Sequence, residues 1–556
     1  MSRRPVAICT IAALFALAIF PATAAFPGVS LIRSADLREW LSYIASDGLA
    51  GRATYSTGLG LAAAYIEDRL RAWGVKPAGD AGSYLQTVRV VGYRTVQSRS
   101  SVTVRVGGET RVFRDGEGVT FPKNAGAKRS FTVDRVEFVG YGLDVPAANL
   151  VDLDKDLAGA AVIWLGPNGP SGFDRQLYRN VLSYRDRHVT EDLRGAAIVG
   201  PMTAPRGNNA QETQAPVPAG QRGAPRPAPD FTTSRRIDLP RSASVQGSDA
   251  FYAFLFSKAP AQYDELKRRA DGQEPLPAFR LDGVTMTFTI DQDYEAVRTE
   301  LTQNVVGIVE GSDPRLRSTY VAFGAHYDHV GYSGQPVAAD GTRPAPPNGR
   351  VGSGPADDII WNGADDDASG TAAMMALARA FAQGPRPKRS LLFVWHAGEE
   401  IGAYGSLYFV DHSTVPIERI VAQLNIDMVG RNRNDDPTEA NTVYLVGSDR
   451  ISAELDQISR DANRSLSPPL TLDYEMNAQS DPEQIYYRSD HYSYAAKGIP
   501  IIFFTTGLHA DYHTSTDEVS KILFDKLVRV TALVYETGVR LANLDHAPVP
   551  NVRNTP

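Results

Sequence analysis

The stretch Asn362-Gly-Ala-Asp-Asp-Asp-Ala-Ser-Gly370 sets three consecutive aspartates between small residues, just ahead of the helix-forming run Thr371 to Phe381. Three adjacent carboxylates repel one another unless cations hold them, and Gly363 and Gly370 let the backbone turn tightly around an ion. The competing reading is an acidic helix N-terminus, which the helix dipole favours. Four other stretches decide between the two.

Upstream, Ala322-Phe-Gly-Ala-His-Tyr-Asp-His-Val-Gly331 follows the apolar run Thr319 to Phe323 with two histidines bracketing Asp328. Downstream, Leu391-Leu-Phe-Val-Trp-His-Ala-Gly-Glu-Glu400 is a buried-strand run that stops at paired glutamates. Ile420-Val-Ala-Gln-Leu-Asn-Ile-Asp-Met-Val-Gly430 ends a third run on Asp427, and Ala510-Asp-Tyr-His-Thr-Ser-Thr-Asp517 follows a fourth, Ile499 to Thr505. Each run delivers a His, Asp or Glu just past its end. In an open α/β sheet that edge is where ligands bind. Histidine with carboxylate is the donor set of zinc and related divalent ions.

The chain resembles the M28 family of co-catalytic dizinc aminopeptidases, specifically members with an inserted protease-associated (PA) domain. The resemblance is dense at His326-Tyr-Asp328, Gly363 to Gly370, Glu399-Glu400, Asn425-Ile-Asp427 and Tyr512-His513-Thr. It implies an α/β fold, a mixed central sheet flanked by helices, carrying a β-rich insert. It also implies two Zn2+ ions bridged by Asp366, with His326 and Asp427 completing one and Glu400 and His513 the other. Glu399 would be the general base, Asp328 would orient His326 through its other ring nitrogen, and Tyr512 would hydrogen-bond the developing oxyanion. Simple packing remains open for Tyr512. A cis peptide at Asp366–Asp367 is implied as well. Asp517 reads as an N-cap of the last helix, and Ser489-Asp-His491 resembles a family segment near the pocket. His329, His396, His412 and His509 receive no role.

The 556 residues exceed one compact core, so two domains or a large insertion are expected. A net charge of −7 without a long basic run speaks against nucleic acid and anionic membranes as partners. Residues 1–25 read as a signal peptide: Ser2-Arg-Arg-Pro, an apolar stretch Val6 to Phe20, then Pro21-Ala-Thr-Ala-Ala25. The expected location is therefore periplasmic or secreted, with no membrane contact after cleavage. The single cysteine, Cys9, lies in that leader, which leaves no disulfide or thiolate ligand in the mature chain.

Residues 26–92 read as the first part of the peptidase domain, with helices from Ser34 (a plausible N-cap) and over Gly58 to Trp73. In Gly48-Leu-Ala-Gly-Arg-Ala-Thr54, Arg52 reads as a packing residue. Residues 93–297 read as the PA domain, with strands at Val102 to Val106, Phe131 to Phe138, Ala160 to Leu165, Ala196 to Val199 and Met286 to Ile290. Within it, 204–234 is rich in Pro, Gly and Gln and poor in large apolar residues, the composition of a loop. Residues 298–545 read as the catalytic part and 546–556 as a tail. Helices are expected over Ser369 to Gln383, Ser406 to His412, Ile451 to Ala462 and Val519 to Asn543. The Gly- and Pro-rich stretch Tyr332 to Trp361 adds unassigned wall to the site.

The expected function is removal of N-terminal residues from peptide substrates. A carboxypeptidase or dipeptidase on this scaffold would need a basic pocket, for which Arg431, Arg433 and Arg488 are candidates. A non-catalytic PA-domain binding protein would have lost ligands, and none is lost. Glutaminyl cyclisation shares the fold but usually lacks the insert.

Overall fold

The computed structural model describes residues 26–202, 229–334, 344–355 and 357–551. The leader, most of the 204–234 loop and the end of the tail lie outside these residues.

In chain order the first body contributes α1 (Ser34–Ile44), α2 (Thr57–Trp73) and the long strands β1 (Leu85–Ser98) and β2 (Gln292–Val309). Then come β3 (Tyr320–His326), α3 (Ala368–Gln383), β4 (Ser390–His396), α4 (Tyr404–Asp411) and β5 (Ile420–Ile426). It closes with β6 (Thr442–Val446), α5 (Ala453–Arg464), β7 (Thr471–Asp473), β8 (Ile501–Thr505) and α6 (Phe524–Asn543). The sheet order is Asp230–Thr233, β1, β2, β4, β3, β5, β8, β6, β7.

The four apolar runs are the central strands β3, β4, β5 and β8, and they are parallel. Strands covered on both faces read as continuous apolar runs, which is why their sequences do not alternate. Phe323, Phe393, Trp395, Leu424 and Phe504 share one core with the helices α1, α2, α3 and α6. Val306, Leu392, Val394 and Phe503 share the other face with α4 and Tyr486 to Ile499. Each fully buried Leu, Ile or Phe contributes about 1.5–3 kcal/mol. Helix α3 is buried from Ala368 to Phe381, and its alanines let it lie close to the sheet. The chain leaves β3 for β4 on one side and returns to β5 on the other, so its carboxyl edge is a topological switch point.

A second sheet of ten strands, built from residues between Ser101 and Ile290, surrounds its own core of residues such as Val104, Phe138, Ile163, Val199, Phe251 and Phe288. The expected boundaries at 93 and 297 fall inside β1 and β2, which pair with each other over most of their length. The change of sheet comes at residues 99–100 and at 291. The strand Asp230–Thr233, from within the insert, pairs back onto β1.

Three local expectations are corrected. Phe131 to Phe138 is two strands, Arg129–Val133 and Val136–Val139, because the charged pair Asp134-Arg135 separates segments with different partners. Arg33, not Ser34, occupies the cap position of α1, with no side-chain capping bond to a backbone amide of the helix; its guanidinium pairs with Asp36 instead. The last helix starts at Phe524, and Val519–Lys521 forms a separate 3₁₀ turn. Among the described residues no helix is long and apolar enough to cross a membrane.

Candidate active site

His326 ends β3, Glu399 and Glu400 follow β4, Asp427 follows β5, and His513 lies on the loop beyond β8. The triple aspartate enters from the segment leading into α3. All converge on the carboxyl edge of the parallel strands.

Asp366 stands at the centre. One of its oxygens, Oδ1, lies 3.1 Å from His326 Nε2, and the other, Oδ2, lies 3.2 Å from His513 Nε2. His326 Nε2 is also 3.7 Å from Asp427 Oδ1, and His513 Nε2 is 2.9 Å from Glu400 Oε2. Two histidine–carboxylate sets therefore share one carboxylate. The flanking aspartates face elsewhere. Asp367 Oδ1 accepts from Gly370 N at 2.8 Å, capping α3, and from Met428 N at 3.2 Å. Asp365 Oδ1 accepts from Gly430 N at 2.6 Å, and its Oδ2 lies 3.3 Å from His509. Helix capping and donor clustering are both present, on different residues of the triplet. The Asp366–Asp367 peptide is cis.

Backbone contacts hold the triplet. Asp517 is not the cap of the last helix; it is buried and accepts from Asp365 N at 3.0 Å and Asp366 N at 3.1 Å. Arg52 is a packing residue, fully buried, donating to the carbonyls of Tyr327, Ile44, Asn362 and Gly363.

Asp328 differs in detail from its expected part. Its backbone carbonyl, 3.1 Å from His326 Nδ1, is the nearer partner, and its carboxylate oxygen stands 3.8 Å away. That carboxylate accepts instead from Thr54 Oγ1 at 2.7 Å and from Glu399 N at 3.2 Å. The residue thus ties the His326 ring and the Glu399 backbone to one point.

His329 and Asn348 carried no signal in the sequence beyond their residue type, whereas Ser489 lies in the segment whose resemblance placed it near the pocket. His329, fully buried, has Nδ1 2.7 Å from Glu400 Oε1 and 3.9 Å from Asp366 Oδ2. Asn348, within the Gly- and Pro-rich stretch, accepts at its carbonyl from His513 Nδ1 at 2.8 Å and donates to the Glu400 carbonyl at 2.6 Å. Ser489 Oγ donates to Asp427 Oδ2 at 2.7 Å. His396 and His491 sit in the core, and burial lowers each to about 3.

His329 Nδ1, Asp366 Oδ2 and Glu400 Oε1 are buried and close together, His329 Nδ1 being 2.7 Å from Glu400 Oε1, but none is aligned for a hydrogen bond. Buried polar atoms left unpaired cost about 1–3 kcal/mol each, and cations placed among these oxygens and imidazole nitrogens would satisfy them. Donor atoms of His329, Asp366 and Glu400 lie within 4.8 Å of one another, as do those of His326, Asp367 and Asp427. Asp366 is the better bridge than Asp367, because both its oxygens face histidines while Asp367 is engaged by two backbone amides. The residues fit a metal pair.

Electrostatics agree with that crowding. Burial opposes charge on His513, but Glu400 and Asp366 overcome it and push its pKa up to about 11. Burial pushes Glu399 well above the ordinary glutamate range; His326 opposes this, and Glu400, Asp490 and Asp427 reinforce it.

A cleft of about 430 Å³ opens above the site, with His326, Asp366, Glu399 and Asp427 at its floor. Met428, Met476, Ile485, Phe503 and Leu508 form apolar walls, and Tyr512 and Arg488 sit at the side. The Tyr512 ring stacks on His513 with centroids 3.9 Å apart. Of the three candidate cations, Arg431 pairs with Asp435 and Asp511, and Arg433 pairs with Glu475. Arg488 alone of them lines the cleft, and Glu483 engages one of its nitrogens at 2.8 Å.

Residues 304–538 match the profile of Peptidase family M28. Aminopeptidase YwaD of Bacillus subtilis (strain 168) is 26% identical over 253 residues, 44% of this chain and 46% of that protein. A probable leucine aminopeptidase 2 of Aspergillus oryzae is 26% identical over 284 residues, 50% of this chain and 47% of that protein. The chain spans about half the length of these curated relatives. A solved structure titled as an aminopeptidase from Aneurinibacillus sp. strain AM-1 aligns over 95% of this chain and 98% of its own, at 18% identity and TM-score 0.43.

Proposed function

We propose, from the match of residues 304–538 to the profile of Peptidase family M28, that this chain is a dizinc aminopeptidase of that family. The observation that supports this most is Asp366, whose two oxygens each face a different histidine–carboxylate set. His326 and Asp427 would hold one ion and Glu400 and His513 the other, with Asp366 between them. His329 is a sixth group within reach of the second set. Bound there, two divalent ions would lower the pKa of a water between them and polarise a scissile carbonyl.

The chain's own residues supply the rest. Glu399 lies on the cleft floor beside the donor set without belonging to it, and its raised pKa suits a group that takes a proton from water and delivers it to the leaving amine. Asp328 and Thr54 keep the Glu399 backbone still. The Tyr512 hydroxyl is the donor for the developing oxyanion, and burial keeps it protonated. The apolar walls would receive an apolar side chain at the substrate's N-terminal position. The amino-terminal stretch supports an exported enzyme, and the second body is the candidate PA domain.

Arg488 favours a second reading, capture of a substrate carboxylate. One experiment separates the two: hydrolysis of matched chromogenic substrates, free at either the amino or the carboxyl end, with and without chelator. The aminopeptidase reading expects cleavage of the first set, loss with chelator and recovery with zinc. Cleavage of carboxyl-terminal substrates alone, or full activity in chelator with no metal bound, overturns it.

A further inference from the structure

Away from the His326–Asp366–His513 cluster, a helix of the second body meets the cleft wall. Arg179–Arg187 continues into a π-helical turn, His188–Asp192. Asp192 Oδ2 accepts from the Tyr487 hydroxyl at 2.5 Å, and Oδ1 accepts from the Tyr492 hydroxyl at 3.4 Å. His188 Nδ1 lies 3.1 Å from both Asp192 Oδ2 and the Tyr487 hydroxyl, and its Nε2 lies 3.8 Å from Asp144. The Tyr184 ring stacks on Tyr487 at 5.1 Å, and Asn180 donates to the Pro482 carbonyl at 3.2 Å.

These partners on the peptidase side all belong to residues 482–492. The opposite side of that segment carries Ile485 and Arg488 into the cleft, and Ser489 reaches Asp427. The segment has little regular structure of its own, a three-residue 3₁₀ turn entered through left-handed Gln484 (φ +50°) and the five-residue helix His491–Ala495. Such a stretch takes its position from what packs on it. Here that includes the half-buried Asp192 carboxylate, bound by two tyrosine hydroxyls and an imidazole, a network whose members depend on one another.

We propose that His188 and Asp192 of the second body are positioning residues for the cleft: they fix Tyr487 and Tyr492, and through them the wall at Ile485 and Arg488. The second body would then help set which substrate side chains fit. The kinetic part of this rests on the aminopeptidase reading, whereas the structural part does not.

The test uses the full metal-loaded chain with Asp192→Ala, Asp192→Asn and Tyr487→Phe. Asp192→Ala is expected to speed hydrogen exchange of amides in 482–492 by about tenfold. It should also raise KM for an apolar aminoacyl substrate about tenfold, leave kcat within about threefold and keep bound zinc unchanged. Asp192→Asn, which keeps an acceptor, should recover part of both effects. Tyr487→Phe repeats the measurement from the other side if Asp192→Ala does not fold. Unchanged exchange in 482–492, or a fall in kcat with no change in KM, overturns the proposal. A wild-type protein that cleaves no aminoacyl substrate defeats the aminopeptidase reading alone, and the exchange measurement still decides the positioning role.

Discussion

The three adjacent aspartates are chemically identical, and their surroundings assign them different work. Backbone amides take one oxygen of Asp367 and one of Asp365, and Asp366 has each of its two oxygens facing a different site histidine. The same logic splits the glutamate pair: Glu400 points at His329 and His513, and Glu399 does not. On the proposed two-ion reading, Glu399→Gln should therefore retain bound metal and lower kcat by about 10²–10⁴-fold, the range of a lost proton transfer. Metal analysis beside steady-state kinetics checks this, and loss of an ion would make Glu399 a ligand. His329→Ala should weaken one of the two ions by about 10–100-fold, as removal of groups supporting a ligand does; competition with a chelator reads it directly. His326, Glu400, Asp427 and His513 were legible because each follows an apolar run in a recurring pattern, and Asp366 because it sits in a triple aspartate flanked by small residues. His329 was not, since a second histidine in a loop has many ordinary uses and only the folded turn brings it to Glu400. Asp517 was misread because a cap and an acceptor for the Asp365 and Asp366 amides call for the same residue type.

At the scale of elements, the turn entering α3 must bring Asp366 between two strand ends while the chain passes close to itself. Gly363 has φ +55°, and a Cβ there would lie 2.2 Å from the Asp366 carbonyl and 2.5 Å from the His329 ring. Gly363→Ala should thus abolish tight metal binding while leaving the far second body folded, which zinc titration and circular dichroism would separate. Unaltered zinc affinity would mean the turn yields without cost. Arg52 ties the same turn, at the Asn362 and Gly363 carbonyls, to the carbonyls of Ile44 and Tyr327, so Arg52→Ala should cost at least about 3 kcal/mol in denaturant unfolding. Arg52→Lys should recover little of it, because an ammonium lacks the planar fork. The strand ends and most helices were legible from apolar runs and their stops. The boundaries of the insert were not: β1 and β2 run unbroken past residues 93 and 297, and a strand that leaves one sheet to approach another changes neighbours without changing residue type.

For the molecule as a whole, the site couples metal, protons and stability. Without ions, His326 and His513 are held charged by the surrounding carboxylates despite burial, His513 up to about 11 from an ordinary value near 6.5. A raised pKa contributes stability that is complete below the unfolded value and is lost as pH rises through the folded one. Metal-free protein should accordingly lose stability between about pH 7 and pH 11. Asp366 is depressed, despite burial, by His326 and His513, so its contribution is lost only on the acid side as pH falls through its folded value. Zinc requires neutral imidazole, so each ion taken up displaces protons and binds more tightly as pH rises. One displaced proton strengthens binding about tenfold per pH unit, or about 1.4 kcal/mol of added stability at saturating zinc. The two trends oppose each other, and the gap between the Tm values of zinc-loaded and metal-free protein should widen from pH 6 to pH 8. Thermal unfolding with and without zinc across that range measures it. A gap that stays constant would mean that the histidines of the metal-free site are already neutral, and would remove the proton exchange on which this coupling depends.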